Sequence, residues 1–365
     1  MRTPRTGVDW FLTFLRLLLL GAATLGVLLF IVQQVYPDNL ITRWVNPVSA
    51  NLTASQFKGL LVSGLTQGAM YGLIALGYSM VYGVLGFINF AHGEVFMAGA
   101  MTGMIASNKL DDAGIWESNF LGSLAFVLAV AVATSTLAAI AMEKVAYRPL
   151  RNSPRLVLLI TSVGMSFFIQ NASLVLLGAK SKSYPRAAEW LNGNVGVIDV
   201  RGSRLLVIAV AGLSAVALWW LVERTKTGMA MRAVAEDAEI AALMGIKVNR
   251  TIVTVFAVGG AMAGVAGILW GLMFRSVTHS TGFLPGIKAF SAAVLGGIGH
   301  LGGAMTGGLI IGAAESVGPI VFFEPLGVQG ATQLKDAVAF LVLVGVLLIR
   351  PSGLFGERLP AEDRV

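Results

Sequence analysis

The feature that most constrains this chain is a series of apolar runs, each about as long as a membrane is thick. A helix that crosses the hydrocarbon core needs ~20 mostly apolar residues. The runs that approach or exceed this length cover 11–35, 57–80, 90–108, 119–142, 156–178, 204–222, 251–274, 284–299, 302–322 and 332–350. The sequence therefore predicts an all-α, polytopic transmembrane helix bundle of 8–10 spans with broken or re-entrant segments. Ten spans are preferred, and the short, glycine-interrupted run 284–299 is the candidate for a re-entrant segment.

Charge supports a membrane domain and excludes several other classes of protein. Only 12% of the residues are charged, against ~25% in soluble domains, so the chain cannot cover a large water-exposed surface. The net charge is +7, and the basic residues lie in short loops between apolar runs, which is typical of membrane proteins. This distribution argues against nucleic-acid binding. The chain has no cysteine and only three histidines, far apart in sequence. We therefore predict no metal site.

The N-terminus begins like a signal peptide but continues too long for one. Arg2 and Arg5 precede the apolar run 11–35, whereas the apolar core of a signal peptide covers only about 7–15 residues. We therefore predict that 1–56 is an N-terminal extension with an uncleaved anchor helix. Cleavage near Ala50 is the alternative.

The distribution of lysine and arginine predicts the orientation of the spans. Basic residues concentrate in 143–155 and 223–250, whereas 109–118 is acidic. Because cytoplasmic loops carry an excess of basic residues, we expect the two basic segments and both termini to be cytoplasmic. The loop 179–203 is also basic, but ten spans place it on the opposite side from the two basic clusters.

A hydrophilic segment at 232–246 predicts an amphipathic helix between two spans. It is rich in helix-forming residues, and the apolar Ile240, Leu243 and Met244 follow the spacing of one helix face. Gly245 is suited to end the helix. Such a helix can dock into a groove on a soluble partner or lie on the lipid headgroups, and the spacing leaves both interpretations open.

Two glycine-rich segments interrupt the apolar pattern. The first, 83–94, carries Asn89, His92 and Glu94 between apolar runs. Ionisable groups at membrane depth usually face the interior of a bundle or an aqueous path, although a wet turn at the membrane surface is equally open. The second segment, 286–308, has glycines at spacings that favour close helix packing. Paired interruptions in two halves of a transporter also mark a transport path. The candidate residues for a translocation path or gate are Asn89, His92, Glu94, Gly296, Gly297 and Gly299.

Five motifs in order make the segment 57–350 similar to a known family. They are Gly72-Leu-Ile-Ala-Leu-Gly-Tyr-Ser-Met-Val-Tyr82, Ile88-Asn-Phe-Ala-His-Gly-Glu94, Val145-Ala-Tyr-Arg-Pro149, Arg232-Ala-Val-Ala-Glu-Asp237 and Lys288-Ala-Phe-Ser-Ala-Ala-Val-Leu-Gly-Gly-Ile-Gly299. With them the chain resembles the LivH-type permeases of high-affinity branched-chain amino-acid ABC importers. Members of that family begin near the position of Phe57, so the resemblance does not explain the extension 1–56. It makes 57–350 the permease domain and leaves 351–365 as a cytoplasmic tail.

The resemblance implies a function and a set of partners. Glu239-Ile-Ala-Ala-Leu-Met-Gly245 is similar to the loop by which such permeases contact an ATPase, although it lacks a later Leu-Pro. The implied ATPase-coupling residues are Glu236, Asp237, Glu239, Ala241, Ala242 and Gly245. The implied partners are a second permease subunit (LivM-like) or a second copy of the chain, two ABC ATPases, a periplasmic substrate-binding protein and membrane lipid, in the inner membrane of a bacterium.

The remaining function classes find little support in the residues. The chain contains no Gly-Lys-Ser/Thr phosphate loop, so ATP and magnesium are expected on partner subunits and no cofactor or catalytic residue in this chain. An ion-coupled transporter needs charged groups in mid-span, and Glu315 and Lys288 are the candidates. Within the family, urea, amides or other amino acids are the alternatives to a branched-chain cargo.

Overall fold

The computed structural model describes residues 7–35, 54–195, 200–326, 328 and 330–356. The first two arginines, the alternative cleavage position near Ala50 and the last nine residues lie outside this range. Helices dominate the described residues, and their order agrees with the ten predicted apolar runs.

The described residues of the first half of the chain form six α-helices of very different length. They are α1 (Gly7–Val35), α2 (Ala54–Leu85), α3 (His92–Asp112), α4 (Ile115–Ser118), α5 (Phe120–Met142) and α6 (Arg155–Leu177). At 1.5 Å per residue, α2 is about 48 Å long and crosses a membrane with residues to spare. Asn119 caps α5, since its side chain accepts a hydrogen bond from the backbone of Gly122 at 3.2 Å.

In the second half, the residues that the structure describes form eight α-helices and four short strands. The helices are α7 (Glu189–Asn192), α8 (Gly202–Arg224), α9 (Lys226–Glu236), α10 (Ala238–Leu243), α11 (Val248–Phe274), α12 (Phe283–Gly296), α13 (Leu301–Gly318) and α14 (Lys335–Ile349). The strands are β1 (Lys182–Ser183), β2 (Asn194–Val195), β3 (Val200–Arg201) and β4 (Ser276–Val277). β1 pairs antiparallel with β4, and β2 with β3.

Eight helical segments of the described chain are long and apolar enough to cross a membrane. α3 and α12 coincide with the two remaining predicted runs but are not among these eight. α3 has 21 residues but carries charges at both ends. α12 has only 14 residues, about 21 Å, and the irregular stretch 275–282 completes its crossing.

Hydrogen bonds between loops show which connections lie on the same face of the helix bundle. On one, which we call the strand face, β1 pairs with β4, and Trp116 donates its Nε1–H to the carbonyl of Arg186 at 2.7 Å. On the other, the basic face, Arg151 donates to Asn249 Oδ1 at 2.6 Å. The two basic clusters thus share one face, and the loops at 113–119 and 178–195 share the opposite one, as the sequence predicts.

The run 284–299 is a broken crossing and not a re-entrant loop. The strand β4 before it lies on the strand face, while the residues after it reach the basic face, where Gly299 lies against Gly83. The chain therefore crosses from one face to the other within 275–299. This resolves the alternative that its short length left open.

Two groups of four helices repeat the same order of elements. The first group, within 54–177, contains α2, α3, α5 and α6, and the second, within 248–349, contains α11, α12, α13 and α14. In each group the third helix continues into a π-helical turn and then a 3₁₀ turn ending in Pro-Leu; these turns are Glu143–Tyr147 and Arg148–Leu150, and Pro319–Phe323 and Glu324–Leu326. The single span α8 joins the groups, so they run through the membrane in opposite directions. Such inverted repeats are common among transporters.

Glycines allow the closest contacts between the helices of these groups. A Cβ added at Gly64 would lie 2.9 Å from Ala313, and one at Gly68 would lie 2.7 Å from Leu309, so α2 and α13 approach backbone to backbone. In the same way, Gly264 of α11 packs on Val132 of α5. The packing interpretation of the glycine rows is confirmed.

Candidate functional site

The two interrupted segments meet inside the bundle at two places. A Cβ added at Gly93 would lie 2.6 Å from the carbonyl oxygen of Gly282 and 2.9 Å from the Cα of Gly286. The N-terminal turns of α3 and α12 therefore touch. Toward the basic face, Gly83 lies against Gly299. The pairing of broken segments that the sequence suggested is thus a feature of the fold.

Asn89 and His92 are buried, with 2% of each residue exposed. Asn89 Oδ1 accepts a hydrogen bond from the hydroxyl of Tyr147 at 2.6 Å, which ties the α2–α3 connection to the end of α5. The His92 ring packs edge-on against Tyr78, with centroids 4.9 Å apart. It also fills the space beside Gly77, where any side chain would collide with it. These residues do not form a wet turn.

Glu94 is buried in the first turn of α3, with 1% of the residue exposed. Its Oε1 accepts hydrogen bonds from Ser166 Oγ at 3.3 Å and from Gln170 Nε2 at 3.1 Å, both on α6. Its Oε2 has no hydrogen-bond partner among the described residues. The carboxylate lies beside Gly282, where an added Cβ would be 2.5 Å from Oε2.

Gly296, Gly297 and Gly299 end α12 near the basic face, about 20 Å along that helix from Glu94. The backbone of Gly297 has φ of +102°, which favours glycine. The carbonyl of Gly296 accepts a hydrogen bond from the backbone of Phe355 at 2.9 Å. The C-terminal segment before residue 357 therefore covers this break, and the candidate gate residues form two clusters instead of one.

The third histidine of the sequence has a structural role. His300 precedes α13, and its Nδ1 accepts a hydrogen bond from the backbone of Gly303 at 2.8 Å. Its ring stacks on Phe355, with centroids 5.7 Å apart. His300 is thus a helix cap.

A buried ion cluster on the basic face was not singled out from the sequence. Glu143 is fully buried and binds both Arg148, at 2.9 Å, and Arg151. Burial lowers the pKa of the Arg151 guanidinium, and the charge of Glu143 acts in the opposite direction. Glu143 therefore neutralises part of the basic cluster at 143–155. The only sequence signal was an acid at the start of a basic run.

The two mid-span charges suggested as an ion-coupling site bind each other. Lys288 Nζ forms an ion pair with Glu315 and a second with Asp336 at 2.7 Å. It also lies 5.7 Å from the centroid of the Tyr71 ring. These charges join α12, α13 and α14, and a buried pair of this kind holds helices together. Both candidate charges are therefore ion-paired in the described chain, which does not favour their use as an ion-coupling site.

The segment predicted as one amphipathic helix at 232–246 is two helices. α9 ends at Glu236, and Asp237 caps α10 by accepting hydrogen bonds from the backbones of Glu239 and Ile240 at 2.8 and 2.9 Å. A single helix across the segment was therefore wrong, because the Asp237 side chain competes for backbone donors. Glu236 closes the first helix instead of starting the second.

The end of α10 follows the prediction closely. Gly245 has φ of +86°, and the backbones of Gly245 and Ile246 donate to the carbonyls of Ala242 and Ala241. This is the Schellman arrangement of a helix C-terminus. Ala241 is buried, whereas Leu243 is 87% exposed. Ile240, Leu243 and Met244 therefore form an exposed apolar patch on the basic face.

Comparison with known proteins identifies relatives over most of the chain. The family described as "Branched-chain amino acid transport system / permease component" matches residues 60–347. The high-affinity branched-chain amino acid transport system permease protein BraD of Pseudomonas aeruginosa is 43% identical over 312 residues, which are 84% of this chain and 97% of BraD. The corresponding LivH of Escherichia coli is 39% identical over 309 residues, 84% of this chain and 96% of LivH. α1 lies outside the family match.

Proposed function

This chain belongs to the family of permease components of branched-chain amino acid transport systems, and we propose that it forms half of the membrane pore of an ATP-driven importer. The observation that supports this most strongly is the 43% identity to BraD over nearly the whole of that protein. The cargo moves into the cytoplasm, and branched-chain amino acids are the favoured cargo because BraD and LivH carry that description.

The coupling to ATP hydrolysis takes place at α10. Its apolar patch is exposed on the basic face, next to the ends of α8 and α11, where a soluble partner can reach it. The exposed Leu243 inserts into a groove of the ATPase, and Gly245 fixes the end of the helix that carries it. The coupling residues are those named from the sequence: Glu236, Asp237, Glu239, Ala241, Ala242 and Gly245. The basic face is accordingly cytoplasmic, and so are the two termini.

The interrupted segments control the path of the cargo. Irregular backbone at membrane depth must be shielded by protein or line a cavity, and here two such stretches touch at Gly93 and Gly286. Asn89, His92 and Glu94 hold this contact, while Gly296, Gly297 and Gly299 form the end nearer the cytoplasm. A branched apolar side chain can pass an apolar constriction without charged ligands.

Purification of the tagged chain from its own cells tests the assembly and the cargo together. We expect ATPase subunits, a second permease subunit or second copy, and a periplasmic binding protein to accompany it. Mass spectrometry of the amino acid released from that binding protein should then identify leucine, isoleucine or valine. A binding protein loaded with urea or a short amide would contradict the proposed cargo, and isolation of the chain with no ATPase would contradict the importer.

A further inference from the structure

Glu94 differs from the other buried charges of the protein. Four acidic or basic side chains of the described chain are buried: Glu94, Glu143, Lys288 and Glu315. Lys288 pairs with Glu315, and Glu143 pairs with two arginines. Glu94 has no ion pair with any residue that the structure describes. An ionised group at membrane depth requires a partner that offsets its charge. The surroundings of Glu94 therefore indicate which kind of group binds to it.

One oxygen of the Glu94 carboxylate accepts hydrogen bonds and the other accepts none from the described residues. The side chains of Ser166 and Gln170 fix Oε1, and Oε2 is left without a donor. Oε2 lies against the backbone of Gly282, where an added Cβ would be 2.5 Å from it, so this contact requires glycine. A buried acceptor oxygen in this position can take one further hydrogen bond from a donor that enters the site.

Two helix ends stabilise a negative charge at this position. Glu94 lies in the first turn of α3, and the first turn of α12 touches it through Gly282 and Gly286. Helix N-termini carry a partial positive charge. These two ends favour negative charge near Glu94 and leave Oε2 without a hydrogen-bond partner in the part of the chain that the structure describes.

A row of polar side chains on α6 leads to Glu94. On α6, only three residues are buried, and two of them are Ser162 and Ser166, which with Gln170 follow the i, i+4, i+8 spacing of one helix face. This row of polar side chains on α6 ends at the Glu94 carboxylate.

We propose that Glu94 Oε2 binds the ammonium group of the amino acid during its passage, an inference that rests on the proposed function. The ligand class is a primary ammonium carried by an α-amino acid. Its charge compensates the carboxylate, and its N–H groups supply the donor that Oε2 lacks. This interaction gives the membrane domain a preference for amino acids over neutral amides, separate from that of any binding protein.

The test uses the complete complex in proteoliposomes with its binding protein, and a leucine analogue carrying a photoreactive diazirine in its side chain. Illumination during turnover should label peptides from α3, α6 or α12. Glu94→Gln keeps the shape of the side chain and should reduce both labelling and leucine uptake at least ~10-fold, the effect of losing a hydrogen bond to a charged group. Glu94→Asp should retain part of both activities.

Glu117→Gln is the matched control, because Glu117 is an exposed acid of α4 at the strand face, and it should behave as the unaltered complex does. Size-exclusion chromatography establishes that each variant assembles. Normal labelling and uptake in Glu94→Gln would overturn the proposal, and so would lost uptake with normal labelling, which would make Glu94 a structural group. Failure of the unaltered complex to take up leucine would contradict the proposed function itself, and the inference with it.

Discussion

At the scale of single residues, His92 illustrates how a polar side chain can be part of a packed interior. Its ring occupies the space left by Gly77 and contacts Tyr78, so its removal loosens the junction between α2 and α3. We expect His92→Ala to lower leucine uptake about 5-fold or to raise the ATP used per leucine, while the complex still assembles. An effect of this size corresponds to the free energy of about one hydrogen bond. Uptake and phosphate release are measured in the same vesicles.

His92→Phe is the companion variant, because it retains a ring but no nitrogen. If it transports leucine at the normal rate and with the normal ATP stoichiometry, transport requires only the volume of a ring at this position and not a ring nitrogen. If His92→Ala also transports normally, the proposed gating role of this position is contradicted.

The ion pair between Lys288 and Glu315 allows a prediction about stability. Lys288→Ala leaves Glu315 buried without its partner, which should lower the free energy of unfolding by about 3–5 kcal/mol. The double variant Lys288→Met, Glu315→Leu removes both charges and should recover most of that loss. Thermal unfolding of the detergent-solubilised protein, followed by tryptophan fluorescence, measures both effects. Equal loss in the single and double variants would show that the pair is not what holds these helices together.

Such pairs mark the limit of what the sequence predicts at this scale. The acidic and basic residues in mid-span were visible, but Lys288 and Glu315 are 27 positions apart, and only the packing of α12 on α13 brings them together. The contact of Asn89 with Tyr147 spans 58 positions and depends on the same kind of packing. Composition and spacing do not encode contacts of this length.

At the scale of elements, α10 carries the most exposed of the large apolar side chains in the described chain, Leu243. Leu243 contributes almost nothing to the packing of this chain, since 87% of the residue is exposed. We therefore expect Leu243→Ser to leave folding unchanged and to reduce stimulation of ATP hydrolysis by the loaded binding protein several-fold, because interface anchors often contribute more than 1 kcal/mol.

Ile115→Ser is the control, because Ile115 is also apolar and exposed but belongs to α4 on the strand face. It should stimulate normally. Normal stimulation in Leu243→Ser would support the alternative that α10 lies on the lipid headgroups. Gly245→Glu, which replaces the residue that ends α10, should give the same loss as Leu243→Ser.

The elements also show where sequence periodicity succeeded and where it failed. Apolar runs located the eight described helices that are long enough to span a membrane, and also α3 and α12, because a helix satisfies its backbone internally within the membrane. They placed the end of α2 near 80, whereas the helix continues to Leu85, since α2 extends past the apolar core. The break at Asp237 was missed because one capping side chain, and no change in hydrophobicity, separates α9 from α10.

At the scale of the whole molecule, the two faces predict a labelling pattern. The native chain has no cysteine, so single cysteines can be introduced without background. Asp112→Cys lies at the end of α3 on the strand face, and Asn152→Cys lies on the basic face. In intact spheroplasts, an impermeant thiol reagent should label Asp112→Cys and not Asn152→Cys. The reverse pattern would contradict the proposed orientation.

The extension with α1 separates this molecule from its relatives. The family match begins at residue 60, whereas the inverted repeat begins with α2 at Ala54. The repeat is therefore a complete unit without α1, and its two groups contact each other through α2 with α13 and α5 with α11.

The central claim is that this chain forms part of a pore through which ATP hydrolysis drives amino acids inward. The most direct measurement is uptake of radiolabelled leucine into proteoliposomes that contain the purified complex. The binding protein is added on the periplasmic side of the complex, and ATP is supplied on the side of the ATPases. We expect uptake that requires both ATP and the binding protein. A proton or sodium gradient should not replace ATP. Leucine uptake driven by an ion gradient without ATP would contradict it.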